Sequence, residues 1–193
     1  MKTNKLLCAL SLVALVSGCA PSMGLRLTAP DVVKEEGDKA SVAPAAPNSK
    51  VKMGSFLDGR SSDTFAVIDG REIRSDGEIG VAVQTGLERQ LRAAGVRVAL
   101  MRAPSIEGEV IDWRAKVTPD FPASTVVANA KVKVTVRGPD STVLYRATYT
   151  GEANMTHPIL GEKDVQDTLG TAMATALEAA TKDSGFMQQL IVR

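Results

Sequence analysis

Cysteine, histidine and aromatic side chains are scarce in this chain of 193 residues, and neither sign of charge predominates. It has 2 cysteines, 1 histidine and 4% aromatics, with a formal net charge of +1. Both cysteines, Cys8 and Cys19, lie near the start. Residues 20–193 can therefore hold no internal disulfide and no cysteine-built zinc site. His157 stands alone and cannot form a histidine cluster. So few aromatics argue against a stacking platform for sugars or bases. A near-neutral balance gives no case for nucleic acid or acidic substrates as partners. No metal, cofactor or small-molecule substrate is expected.

What is present begins with Lys2 and Lys5, followed by an apolar run from Leu6 to Val16. A basic head with an apolar centre of about ten residues has the form of a secretory signal. It is well short of the ~20 residues that span a bilayer. Val16-Ser17-Gly18-Cys19 closes the run. These residues resemble the lipobox of bacterial lipoproteins, which implies cleavage before Cys19 and a diacylglyceryl group on its sulfur. Two or more acyl chains, at ~0.8 kcal/mol per buried methylene, make a stable anchor without a transmembrane helix. Loss of residues 1–18 removes two lysines and leaves 21 basic and 22 acidic side chains.

Residues 19–50 read as a lipidated N-terminus and tether, punctuated by Pro21, Pro30, Pro44 and Pro47. Leu25-Arg26-Leu27 is a short edge-strand candidate within it. The folded domain is expected over 51–193, with strands over Val51–Leu57, Thr64–Ile68 and Val96–Met101. Ser75-Asp76-Gly77-Glu78 has the spacing of a capping box. The helix after it carries Ile79, Val83, Leu87 and Leu91 on one stripe and stops at Gly95.

Three longer runs then alternate with period two, which predicts an antiparallel meander with one buried face. Trp113, Ala115 and Val117 share one side of the first. Val126 through Val136 at even positions do so in the second. Val143, Tyr145, Ala147 and Tyr149 do so in the third. A second helix is predicted over Glu162–Lys182, ended by Gly185, with Phe186 and Leu190 folding back. The order β-β-α-β-β-β-β-α gives an α+β domain: an antiparallel sheet with two main helices on one face.

Several of these stretches, taken together, resemble the YajG-type bacterial lipoproteins. They are the lipobox, Phe56-Leu57-Asp58-Gly59-Arg60, Leu87-Glu88-Arg89-Gln90-Leu91-Arg92-Ala93-Ala94-Gly95, Ala128-Asn129-Ala130-Lys131-Val132-Lys133-Val134, Tyr145-Arg146-Ala147-Thr148-Tyr149 and Phe186-Met187-Gln188-Gln189-Leu190. The resemblance implies a lipid-anchored envelope protein without an established activity, and it brings no catalytic residue. Ala20 follows Cys19; by similarity to enterobacterial sorting, where aspartate there retains a lipoprotein in the inner membrane, it points to the outer membrane.

Candidate chemistry is sparse. Asp58, Asp63 and Asp69 with Arg60 and Arg71 could form a cation site, but arginines oppose a cation and turn chemistry with surface ion pairs accounts for them. His157 has no cysteine or serine nucleophile to serve and reads as a loop residue. Ser49 and Lys52 imitate a serine–lysine pair without companions. The remaining candidate is the solvent face of the meander. With Val132 and Trp113 inward, Arg114, Lys116, Lys131, Lys133, Arg137 and Arg146 face outward, and Asp112 and Glu152 offset them. The plainer reading is a solvated face whose lysines discourage aggregation. The sharper one is a docking face for an anionic surface or acidic partner. The function expected is a non-catalytic binding or scaffold lipoprotein on the periplasmic face of the outer membrane, with a protein partner or a second copy in the envelope. The alternative is an accessory lipoprotein that regulates an envelope machine, a secretion or transport complex or a peptidoglycan synthase.

Overall fold

The computed structural model describes residues 23–25, 49–75, 77–99 and 103–191. Residues 1–18, Cys19 and most of the expected tether lie outside this set. The elements are β1 (Met23–Leu25), β2 (Lys50–Asp58), β3 (Thr64–Ile68), β4 (Arg71–Ser75), α1 (Ile79–Ala93), β5 (Arg97–Val98), β6 (Ser105–Thr118), β7 (Ser124–Arg137), β8 (Val143–His157), α2 (Glu162–Lys182) and α3 (Ser184–Gln188). The fold is α+β, with α1 and α2 on one face of the main sheet.

That sheet has the order β5-β2-β6-β7-β8 and is mixed. The antiparallel expectation holds for the three long strands. It does not extend to β2, which pairs parallel with both β5 and β6. A strand can return parallel only through a crossover, and α1 supplies the one between β2 and β5. The periodicity that identified β2 carries no record of strand direction.

A second sheet, β1-β4-β3, was only half expected. Asp69 and Gly70, at φ 49° and 75°, both occupy the left-handed region. That is the geometry of a tight hairpin turn, so β3 runs straight back into β4. Met23–Leu25 adds to β4 as a parallel edge strand, two residues earlier than the Leu25–Leu27 candidate. Residues 26 and 27 lie outside the described set.

Ser75 does not cap α1. It ends β4, and its hydroxyl bonds within the turn, accepting from the Gly77 N–H and donating to the Gly77 carbonyl. The helix starts at Ile79 behind Glu78. Its expected stripe holds: Val83, Leu87 and Leu91 are fully buried. Its end holds too, for the Val96 N–H donates to the Leu91 carbonyl and the Gly95 N–H to that of Arg92. With Gly95 at φ 86°, this is a Schellman motif.

α2 spans the expected residues and buries Val165, Leu169, Met173, Ala176 and Ala180. Its stop signal is Asp183 rather than Gly185. Asp183 stops it and then caps α3, accepting from the N–H groups of Gly185 and Phe186, so Gly185 lies inside the short helix. Phe186 and Leu190 are fully buried and fold back as expected. The turn behind α3 is latched to the start of β2: Ser49 bridges Ile191, and the Lys50 N–H donates to the Leu190 carbonyl.

The core lies between sheet and helices. Trp113 sets its centre, with its indole N–H donating to the Leu169 carbonyl at 2.9 Å. Phe65 of β3 meets the same ring edge to face, at 5.3 Å between centroids. One side chain therefore ties α2 and the small sheet to the large one. α2 lies directly on Gly151 of β8, with the small residues Ala172 and Ala176 opposite it.

Candidate functional site

The solvent face of β6, β7 and β8 is built by strict alternation in β7. Val126, Ala128, Val132, Val134 and Val136 are completely buried. Lys131, Lys133 and Arg137 take the intervening outward positions. The register sets Lys133 opposite Glu109 on β6 and Thr148 on β8, and Lys131 opposite Asp112 and Thr150. All six expected cations, Arg114, Lys116, Lys131, Lys133, Arg137 and Arg146, lie on these three strands.

The structure adds two carboxylates to that face. β6 carries an irregularity between Val110 and Asp112. Before it, Ile106 and Val110 point inward; after it, Trp113 does. One extra residue in a strand moves every later side chain to the other face. Glu107 and Glu109 therefore share the outer face with Asp112 and Arg114. Extending one parity through the whole strand hides them, and Ile111 gives no turn signal that would mark the change.

These carboxylates neutralise half of the cations. Arg137 pairs with Glu107 at 2.7 Å, Arg114 with Asp112 at 3.1 Å, and Lys133 with Glu109. Lys116, Lys131 and Arg146 have no ion pair among the described residues. With Glu152, four carboxylates meet six cations, so the surplus is smaller than the sequence count suggested. Two shallow depressions mark the face. One lies between Glu109, Lys133, Thr135 and Arg146, the other between Asp112, Lys131, Thr150 and Glu152.

The aspartate-rich loop is explained by local bonding. Arg60 grips Asp58 through Nε and Nη2 at 3.0 and 3.1 Å. Its guanidinium lies 4.2 Å over the Phe65 ring and donates to the Trp113 carbonyl. Burial pushes the Asp58 carboxyl up, but the Arg60 contacts outweigh this and its pKa is lowered. Asp63 pairs with Arg74, and Asp69 occupies the hairpin turn. His157, at the end of β8, bonds through Nδ1 to the Ile159 carbonyl. Ser49 is buried in the bridge to Ile191 rather than placed with Lys52 in a site.

One polar cluster escaped the sequence reading. The hydroxyls of Tyr145 and Tyr149 both donate to Asp183 Oδ2, at 2.5 and 2.9 Å. Its other oxygen accepts the α3 N–H groups. Burial pushes the carboxyl up, but these hydrogen bonds prevail and its pKa is lowered. The Tyr149 hydroxyl is pushed far up, by burial first and then by Asp183. The cluster is a joint between α2, α3 and the sheet. The period-two placement of the tyrosines was the available signal; Asp183, 34 residues from Tyr149, had none.

No family model and no curated protein matches the chain in sequence. Solved structures do match its fold. Protein XCC0632 from Xanthomonas campestris, of family DUF330, aligns at TM-score 0.52 and 12% identity, over 76% of this chain and 90% of its own. A minor lipoprotein from Acinetobacter baumannii aligns at TM-score 0.45 and 12% identity, over 72% and 93%. Lipoprotein GNA1162 from Neisseria meningitidis aligns at TM-score 0.33 and 9% identity, over 61% and 90%. The first of these establishes a fold shared with another bacterial protein. None of the three is described as YajG-type.

Proposed function

We propose that this chain is a lipid-anchored envelope lipoprotein of the YajG type, held on the periplasmic face of the outer membrane through Cys19. There it works as a binding or scaffold module without catalysis. The observation that carries this reading is the lipobox Val16-Ser17-Gly18-Cys19 set ahead of a folded α+β domain. Among the described residues no helix is long and apolar enough to cross a membrane.

The contact surface in this reading is the outer sheet face. Lys116, Lys131 and Arg146 are its available cations, and the anions at hand in an envelope are lipid headgroups, cell-wall carboxylates and acidic partners. The anchor raises the local concentration of such ligands, so weak pairing suffices. Metabolic labelling with a fatty acid tests the anchor: label should enter the parent and be lost in Cys19→Ala. Label that persists in the variant refutes it. Sedimentation with anionic vesicles at low and moderate salt tests the face. Lys131→Glu with Lys133→Glu should abolish binding, and salt should weaken it as the Debye length shortens. No binding at low salt reduces the face to ordinary solvated surface.

A further inference from the structure

The free edge of the main sheet is long and unprotected. β8 is its last strand, 15 residues from Val143 to His157, bonded on one side only, to β7. Among the described residues, no backbone or side-chain group outside β7 bonds to the main chain of Val143–Asn154. Exposed edges are commonly blunted by short length, proline, lysine or a bulge. β8 contains neither proline nor lysine. Its register with β7 shifts once, at Leu144 near its start, and then runs unbroken from Tyr145 to His157. α2 covers its inner face at Gly151, while the outer positions from Leu144 to Thr156 are exposed.

The strand's charges say what fits this edge. Arg146 and Glu152 are its only Lys, Arg, Asp or Glu residues. They share the outer face and lie three positions either side of Tyr149. If a second β8 runs antiparallel with Tyr149 opposite Tyr149, Arg146 falls opposite Glu152 of the other copy, and Glu152 opposite its Arg146. Thr148 then meets Thr150 in both directions, and Leu144 meets Asn154. Opposite charges and threonine pairs directly across an antiparallel ladder are stabilising. A two-fold axis applies each contact twice.

We propose that two copies of this chain pair through β8 in this register, joining their sheets into one continuous sheet across a two-fold axis. The pairing satisfies the edge backbone and does not require the lipid anchor. It places the outer faces of both copies side by side, with Arg146 taken up by Glu152 of the other copy and Lys116 and Lys131 of both copies left to meet an anionic surface.

The full chain in detergent tests it by light scattering and by cysteine trapping. The parent should have the protein mass of a dimer. Arg146→Glu and Glu152→Arg, each placing like charges opposite one another, should each weaken dimerisation at least tenfold. Arg146→Glu combined with Glu152→Arg should restore it. Leu144→Cys with Asn154→Cys should give a disulfide-linked dimer on mild oxidation, above the background of Cys8 and Cys19 in the parent. Each single cysteine should not, because its own counterpart lies ten positions, ~33 Å, along the ladder. A monomeric parent, a charge reversal without rescue, or a trap that forms equally from either single cysteine would overturn the proposal. A trap that captures a different protein would assign the edge to a foreign strand and overturn it equally.

Discussion

Single residues carry unusual weight in a core without disulfides. Trp113 contacts the small sheet through Phe65 and bonds to α2 through the Leu169 carbonyl. Trp113→Phe keeps most of the apolar area and removes the indole N–H bond, while the Leu169 carbonyl keeps its partner in the α2 ladder. Chemical denaturation should show a loss of at least about 0.5–1.5 kcal/mol, the net contribution of one hydrogen bond. Leu169→Ala, at a fully buried position, should lose about 2–5 kcal/mol. The Asp183 joint predicts a pH dependence. Its folded pKa is lowered, so its stabilisation is present above the unfolded carboxylate value, ~3.9, and is lost as pH falls through the folded value. Asp183→Asn should therefore melt below the parent at neutral pH, and the gap should narrow as the medium approaches pH 3. A gap that stays constant would mean that the carboxylate charge contributes nothing to the joint.

At the scale of elements, the test is how closely α2 lies on β8. An added Cβ at Gly151 would overlap the Ala172 carbonyl and come within 2.5 Å of the Ala176 nitrogen. Gly151→Ala should lift the helix and destabilise by about 1–3 kcal/mol. Gly170, within α2, has nothing within 4 Å of its Cβ position. There the same substitution should stabilise by about 0.5–1 kcal/mol, because alanine restricts the unfolded chain. Thermal melts of the two variants should move in opposite directions. Both helices were legible because their apolar residues recur every three or four positions and one flank is buried throughout. What was not legible has physical causes. In Arg71-Glu72-Ile73-Arg74-Ser75 only Ile73 is buried, too little alternation to announce β4, although Asp69-Gly70 was a usable hairpin signal. Ser75 had the spacing of a cap and was taken into strand pairing instead. The β6 irregularity, which decides the composition of the candidate face, is a property of two strands in register and leaves no mark on one of them alone.

For the whole molecule the question is where the independent unit begins. The apolar residues whose burial is described run from Val51 onward, the expected start of the domain. The backbone moves the boundary slightly earlier. The Ser49 carbonyl accepts from the Arg97 N–H, and the Lys50 N–H donates to the Leu190 carbonyl. Two residues thus fasten β5 on one side and the terminal turn behind α3 on the other. A chain cut to start at Val51 loses both bonds, each contributing about 0.5–1.5 kcal/mol net. A chain that starts at Ser49 keeps them. Both lack β1, so the comparison between them isolates the latch, and the comparison with the full chain isolates β1. Urea denaturation should place the Val51 chain about 1–3 kcal/mol below the Ser49 chain, with equal m-values because the core exposed on unfolding is the same. Equal midpoints would mean that the latch is redundant. A Ser49 chain without a cooperative transition would mean that Met23–Leu25 belongs to the folding unit, and the boundary between tether and domain would then lie before residue 23.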